Sequence, residues 1–205
     1  MKPSLILFDL DGTLLPMDQD EFVGGYFKML CKKLAPYGYD PQKLVAGIWA
    51  GTAAMVKNDG SVTNEEAFWK KFTQLMGEKT LDDKPVFEEY YANEFDGARA
   101  ATGFNPLAAE AVKRIKQAGM RVALATNPIF PDIATRKRTQ WAGLDVNDFE
   151  AYTTYENSSF SKPNPDYYID LLKKLNLEPS ETLMVGNDVR EDILAGTKAG
   201  MDTFL

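Results

Sequence analysis

The sequence predicts an α/β protein: a doubly wound, mostly parallel sheet interrupted by an α-helical insertion. Three observations carry that expectation. Short apolar runs recur along the chain and end in polar residues. Amphipathic helical patterns follow or separate these runs. A long stretch after the first run shows helical patterns and no convincing strand.

The strands are predicted from Ser4-Leu5-Ile6-Leu7-Phe8, which ends at Asp9, and from Arg121-Val122-Ala123-Leu124-Ala125, which ends at Thr126 and Asn127. A third, Thr182-Leu183-Met184-Val185, ends at Gly186, Asn187 and Asp188, and Met201 to Leu205 resembles the middle of a last strand. Continuous aliphatic runs of this length suit strands buried on both faces, as in a parallel sheet. Helices are signalled by Asn105-Pro106 and Asn164-Pro165, each an N-cap with proline at the first helical position. Leu107, Ala108, Ala111, Val112, Ile115 and Ala118 follow the first signal at helical spacing, and Tyr168, Leu171, Leu172 and Leu175 follow the second. Asp188 is placed to cap a third helix, which holds Ile193, Leu194 and Ala195 and closes at Gly200.

The stretch from Met17 to Arg99 carries four helical patterns: Phe22, Val23, Tyr26, Phe27 and Leu30; then Leu44, Val45, Ile48 and Trp49; then Phe68, Phe72 and Leu75; then Phe87, Tyr90, Tyr91 and Phe95. The expected division is an α/β core of residues 1–15 and 100–205 and a helical segment of residues 16–99. Flexible joints are expected near Leu15-Pro16 and from Gly97 to Gly103.

Composition narrows the chemistry. Charged residues make up 26% and hydrophobic residues 44% of the 205, as in ordinary soluble proteins. A net charge of −7 argues against a general nucleic-acid or anionic-membrane binder, which needs a basic surface. The chain has no histidine, which excludes histidine triads and histidine-ligated zinc. Its one cysteine, Cys31, allows neither an intrachain disulfide nor a cysteine-rich zinc site. Any metal must accept oxygen ligands. No apolar run is long enough for a signal peptide or a membrane span, so a cytoplasmic location is expected.

Four stations lie at strand ends or helix starts, where open parallel sheets bind ligands. Asp9-Leu10-Asp11-Gly12-Thr13 places two carboxylates two residues apart, on one side of an extended segment. Holding both beside an apolar strand is costly unless a cation compensates, and oxygen ligation points to Mg²⁺. Gly12 permits a sharp exit from the strand. Thr126 and Asn127 offer a hydroxyl and an amide able to donate to phosphoryl oxygens. Lys162, between Ser161 and Pro163, offers positive charge for a phosphate or a carboxylate. Gly186-Asn187-Asp188 closes the set, with Asp192 one turn later on the face of Asp188.

In this order the stations resemble the four motifs of the haloacid dehalogenase-like (HAD) superfamily: Asp9 to Thr13 the first, Thr126 the second, Lys162 the third, and Asp188 with Asp192 the fourth. The resemblance implies a Rossmann-like core and makes residues 16–99 a cap over the active site. It implies a Mg²⁺-dependent phosphatase acting on a small phosphorylated metabolite through an aspartyl-phosphate intermediate. Asp9 is then nucleophile and metal ligand. Asp11 is general acid and base, and its backbone carbonyl binds the metal. Thr126 holds a phosphoryl oxygen with help from Asn127, and Lys162 offsets charge on Asp9 and the phosphoryl group. The fourth motif usually reads Gly-Asp, whereas Asn187 intervenes here, so the register brings either Asn187 or Asp188 to the metal. Asp188 is the expected ligand because a carboxylate binds Mg²⁺ better than an amide, with Asp192 as a direct ligand or behind one. A phosphomutase of the same superfamily, or a phospho-acceptor signalling or binding module, is the alternative.

Overall fold

The computed structural model describes residues 3–205; Met1 and Lys2, which begin the expected core segment, lie outside the described residues. Four parallel strands form one sheet: β1 (Leu5–Phe8), β2 (Arg121–Leu124), β3 (Thr182–Val185) and β4 (Asp202–Phe204), in the order β2-β1-β3-β4. Leu5 is level with both Arg121 and Thr182, so three strands leave the sheet side by side at Phe8, Leu124 and Val185. The residues that follow these ends are the expected stations.

Alternation along the strands explains why the sheet is covered twice. Ile6, Phe8, Val122 and Leu124 enter one apolar cluster, while Leu5, Leu7, Ala123 and Met184 enter the other. On the first face lie α6 (Pro106–Gln117), through Ala108 and Val112, and α7 (Asp132–Trp141), through Ala134 and Trp141. On the second lie α8 (Pro165–Lys174), through Tyr168 and Leu172, and α9 (Ala195–Ala199). The sheet is doubly wound, as expected.

Between β1 and β2 the chain forms α1 (Gln19–Leu34), α2 (Pro41–Val56), α3 (Asn64–Met76), the short α4 (Lys79–Asp82) and α5 (Lys84–Asn93). Their starts are encoded locally. Asp18 accepts from the Glu21 amide, Asp40 from the Lys43 amide, and Thr63 with Glu66 forms a capping box. Leu30, Phe72, Phe87 and Tyr90 from these helices share one apolar cluster with Ile6 and Phe8 of the sheet. Trp49 differs from the stripe it was assigned to: it is half exposed, while Leu44 and Ile48 beside it are buried.

Two further elements depart from expectation. No pattern announced α7, because its buried face is made of Ala134, Thr135, Arg138, Thr139 and Trp141. That stripe is mostly polar, and hydrophobic periodicity does not register it. The helix capped by Asp188 is wound in two ways, a π-helical turn over Val189–Leu194 and then α9, closed by Gly200 with positive φ. Wide turns of this kind are frequent at functional sites.

One buried amide pins the helical insertion to the sheet loops. Asn64, fully buried at the start of α3, donates from Nδ2 to the carbonyls of Pro128 (3.1 Å) and Phe160 (3.2 Å) and to Ser161 Oγ (3.0 Å), and accepts from Asn58 Nδ2 (2.9 Å). Replacing it by leucine strips partners from several buried polar groups at once. Asn64→Leu is expected to lower unfolding free energy by about 3 kcal/mol in urea denaturation, at one to a few kcal/mol per stranded group.

Candidate active site

Asp9 follows β1 directly, and its amide still donates to the Val185 carbonyl of β3 at 2.9 Å, so its side chain leaves from a fixed backbone. Behind it, the Lys162 ammonium lies 2.8 Å from Asp9 Oδ1 and 2.6 Å from Asp192 Oδ1, and is 1% exposed. Burial disfavours the ammonium, but the neighbouring Asp9 carboxylate, with Tyr168, Tyr167 and Asp192 around it, outweighs this and raises its pKa well above the ordinary lysine value. Burial likewise raises Asp9 to about 6 against the opposing pull of Lys162.

Asp11 points to a different cation. The loop after β1 closes tightly, with the Gly12 amide donating to the Leu15 carbonyl and the Leu15 amide to the Leu10 carbonyl, both at 2.8 Å. Gly12 takes φ +91° there, and a Cβ on it would sit 2.4 Å from Asn187 Nδ2. From this turn Asp11 Oδ2 accepts from Nη1 of Arg138, which projects from α7. Arg138 is 1% exposed, with its guanidinium 4.6 Å from the Phe130 ring centre. The other carboxyl oxygen, Asp11 Oδ1, is buried without a hydrogen-bond partner among the described residues. Burial raises the Asp11 pKa, with Arg138 and then Lys162 acting against it. A carboxyl group so placed is suited to carry a proton and give it up.

Thr126 and Asn127 follow β2. The Thr126 carbonyl is fixed by Thr153 Oγ1 (2.7 Å) and the Tyr167 hydroxyl (3.0 Å), and Thr126 lines the same cavity as Asp9 and Asp11. Asn127 donates from Nδ2 to Glu191 Oε2 at 3.0 Å and leaves Oδ1 buried without a partner among the described residues. The residues predicted from sequence therefore meet at one cavity of about 690 Å³, with Lys162 immediately behind it.

In the loop after β3, Asp188 caps the next turn as expected and also lines the cavity. Asp188 Oδ1 accepts from the amides of Arg190 and Glu191, both at 2.7 Å, and so caps the π-helical turn. The residue that faces Asp9 and Asp11 is Asn187. One terminal atom of its amide lies 3.1 Å from Thr13 Oγ1 and 3.2 Å from both Asp9 Oδ2 and the Asp11 carbonyl oxygen. Turned one way, the amide donates to these oxygens; turned the other way, its own oxygen joins them. Such a cluster suits a hard cation, which takes oxygen ligands. Among the described residues no group of three or more acidic, histidine or cysteine side chains gathers at metal-binding spacing. The donor set here is one carboxylate, one backbone carbonyl and one amide. Asp192 lies behind it, with Oδ1 on Lys162 and Oδ2 accepting from the Asp188 amide at 3.0 Å.

Fold and site together define a Rossmann-like α/β protein with a buried carboxylate, Asp9, at the end of the first strand and at the edge of a cavity. The family model for haloacid dehalogenase-like hydrolases matches residues 3–200, and the chain belongs to that family. It is an enzyme, a hydrolase acting on phosphoric ester bonds. Among its relatives are a phosphoglycolate phosphatase of Psychrobacter arcticus, 29% identical over all of this chain and 83% of the relative, and a ribulose-1,5-bisphosphate 5-phosphatase of Halopiger xanaduensis, 22% identical over 98% and 83%. A HAD phosphatase from Thermococcus onnurineus has the same fold (TM-score 0.58, 19% identity, 99% of this chain and 85% of that one). So has a HAD family enzyme from Bacteroides thetaiotaomicron in complex with magnesium and inorganic phosphate (TM-score 0.58, 15% identity, 98% and 93%).

Arg138 is the site residue that the sequence did not announce. Its only local signal is the burial of a polar helix, which requires the sheet to be seen. Arg138→Met removes the partner of a buried carboxylate at similar side-chain length. It is expected to destabilise the fold by about 3 kcal/mol in guanidinium titrations, the lower end of the range for one-sided removal of a buried ion pair.

Proposed function

We propose that the chain is a Mg²⁺-dependent phosphatase that hydrolyses a small phosphomonoester through an aspartyl phosphate on Asp9. The observation that carries this reading is the buried Asp9–Lys162 pair, 2.8 Å apart, opening onto a cavity that also holds Asp11 and Thr126. Lys162 neutralises the nucleophile from behind, while the other carboxyl oxygen of Asp9 faces Thr13 and Asn187.

In the first half-reaction the Asp9 carboxylate attacks phosphorus, and the bond to the leaving oxygen breaks as Asp11 gives that oxygen a proton. In the second, Asp11 takes a proton from water, the water oxygen attacks phosphorus, and inorganic phosphate leaves with Asp9 restored. Thr126, with Asn127 beside it, steadies the phosphoryl oxygens through both steps. Lys162 lies between the Asp9 and Asp192 carboxylates before attack, and Asp192 still pairs with it while Asp9 carries the phosphoryl group. Phosphoryl transfer depends chiefly on such positioning and charge neutralisation.

Mg²⁺ would be held by Asp9, the Asp11 carbonyl and Asn187, and would offset negative charge on the phosphoryl group and the nucleophile. The amide contacts of Asn187 favour it for the position first given to Asp188, which is engaged in its helix cap. Helices α1 to α5 act as the cap that closes over the ester and excludes water. A cytoplasmic setting fits a chain with one cysteine; among the described residues no helix is long and apolar enough to cross a membrane.

Two outcomes test this reading. Asp9→Asn is expected to reduce Mg²⁺-dependent phosphate release by several orders of magnitude while retaining ester binding, since an amide is not a nucleophile here; turnover near the native rate would refute the mechanism. Asn187→Asp adds a carboxylate at the cation position and is expected to lower the Mg²⁺ concentration for half-maximal activity about tenfold. Asp188→Asn is expected to shift that concentration less than threefold, and the opposite ranking would return the ligand role to Asp188.

A further inference from the structure

The cavity above Asp9 is unlike a receptor for an anionic leaving group. Its walls away from the reacting end are largely aromatic, with Phe22, Phe27, Trp49 and Phe130 among the lining residues and the neutral polar Gln19 and Thr52 beside them. Trp49, half exposed, lies with its ring centre 5.5 Å from that of Phe27, which keeps a large apolar surface open to an entering ligand. Indole and phenyl faces attract apolar groups and cations, and offer nothing to a carboxylate.

The charged residues on these walls are acidic. Glu65, Glu88 and Glu156 come from α3, α5 and the segment between α7 and α8. Glu65 is paired with Lys84 at 2.5 Å, and Glu156 accepts from the Asp132 amide at 2.9 and 3.1 Å. Glu88 is exposed and has no ion-pair partner among the described residues. Arg138 is the one lysine or arginine among the lining residues described, and its guanidinium is already engaged by Asp11, the Thr135 hydroxyl and the Ala134 carbonyl. A leaving group with its own carboxylate would thus lose water, meet like charge and find no free cation.

We propose, resting on the phosphatase reading above, that this site takes phosphomonoesters with an apolar leaving group free of negative charge. It discriminates against those whose leaving group carries a carboxylate. A positively charged group on an apolar frame is accepted at least as well as a neutral one, because aromatic faces and Glu88 both attract it. The phosphoryl group itself is served separately, by Lys162, Thr126 and the cation site. This sets the chain apart from what the name of its phosphoglycolate phosphatase relatives says those proteins act on, since glycolate carries a carboxylate.

A matched series tests the charge rule: benzyl phosphate, its para-carboxylate, its para-aminomethyl analogue, and 2-phosphoglycolate. Binding of each to the Asp9→Asn variant reports the preference of the cavity, and phosphate release by the native enzyme with Mg²⁺ reports the chemistry. The carboxylate ester and phosphoglycolate are expected to bind at least tenfold more weakly than benzyl phosphate, and the aminomethyl ester as tightly or more tightly. Glu88→Lys, at an exposed position, is expected to improve binding of the carboxylate ester at least threefold relative to benzyl phosphate. Equal or tighter binding of either carboxylate to the Asp9→Asn variant, or an unchanged ratio when Glu88→Lys is added to it, would overturn the charge rule and leave the phosphatase reading standing. Absence of phosphate release from all four esters, whatever their binding order, would instead remove the phosphatase reading and this inference with it.

Discussion

Burying an ammonium is tolerable only when carboxylates surround it, and the core of this enzyme is arranged around that constraint at Lys162. Asp9 comes from the end of β1 and Asp192 from the turn after β3, and both reach the same nitrogen. Removing the lysine would leave two carboxylates stranded in a dry interior, where the penalty is several kcal/mol. The pair therefore fixes three segments relative to one another: the ends of two adjacent strands and the loop that enters α8. Because the strands are parallel and in register, that convergence occurs at one edge of the sheet.

From the same constraint follows the shape of the first loop. Asp9 must stay beside Lys162 while the chain turns away from β1, and Gly12 makes the turn with a backbone conformation that L side chains rarely adopt. The space left by its missing side chain is filled by the amide of Asn187, so β1 and β3 loops interlock where a cation would bind. The Asp188 carboxylate is drawn off to the bare amides of the next turn. Four residues further along, within the wide winding of that turn, Asp192 reaches back to Lys162.

The helical insertion answers a different need. Its inner faces supply aromatic surface continuous with the core, and this surface forms the far wall of the cavity. Asn64 ties α3 to the loops after β2 and before α8, the loops that carry Thr126 and Lys162. The helical insertion and the loops after β2 and before α8 are thus linked through one buried amide. The buried cations Lys162 and Arg138 lie at the Asp9 and Asp11 end, while Glu88 and Glu156 line the aromatic side.

What the sequence determined by itself was the local part. Aliphatic runs required strands covered on both faces, side-chain caps at Asn105, Asn164 and Asp188 fixed where helices begin, and polar residues after each strand marked the edge where ligands bind. These signals are legible because each depends on residues within one turn or one strand. The tertiary structure alone decided the partners. Arg138 lies 127 residues from Asp11 and sits on a helix whose buried face is polar, so in the sequence it resembles a surface charge. That Asn187 contacts Thr13 while Asp188 caps the next turn was set by the folded chain, and the acidic character of the cavity arose from glutamates on separate elements. Charges act through space, and their distances are set only when the chain has folded.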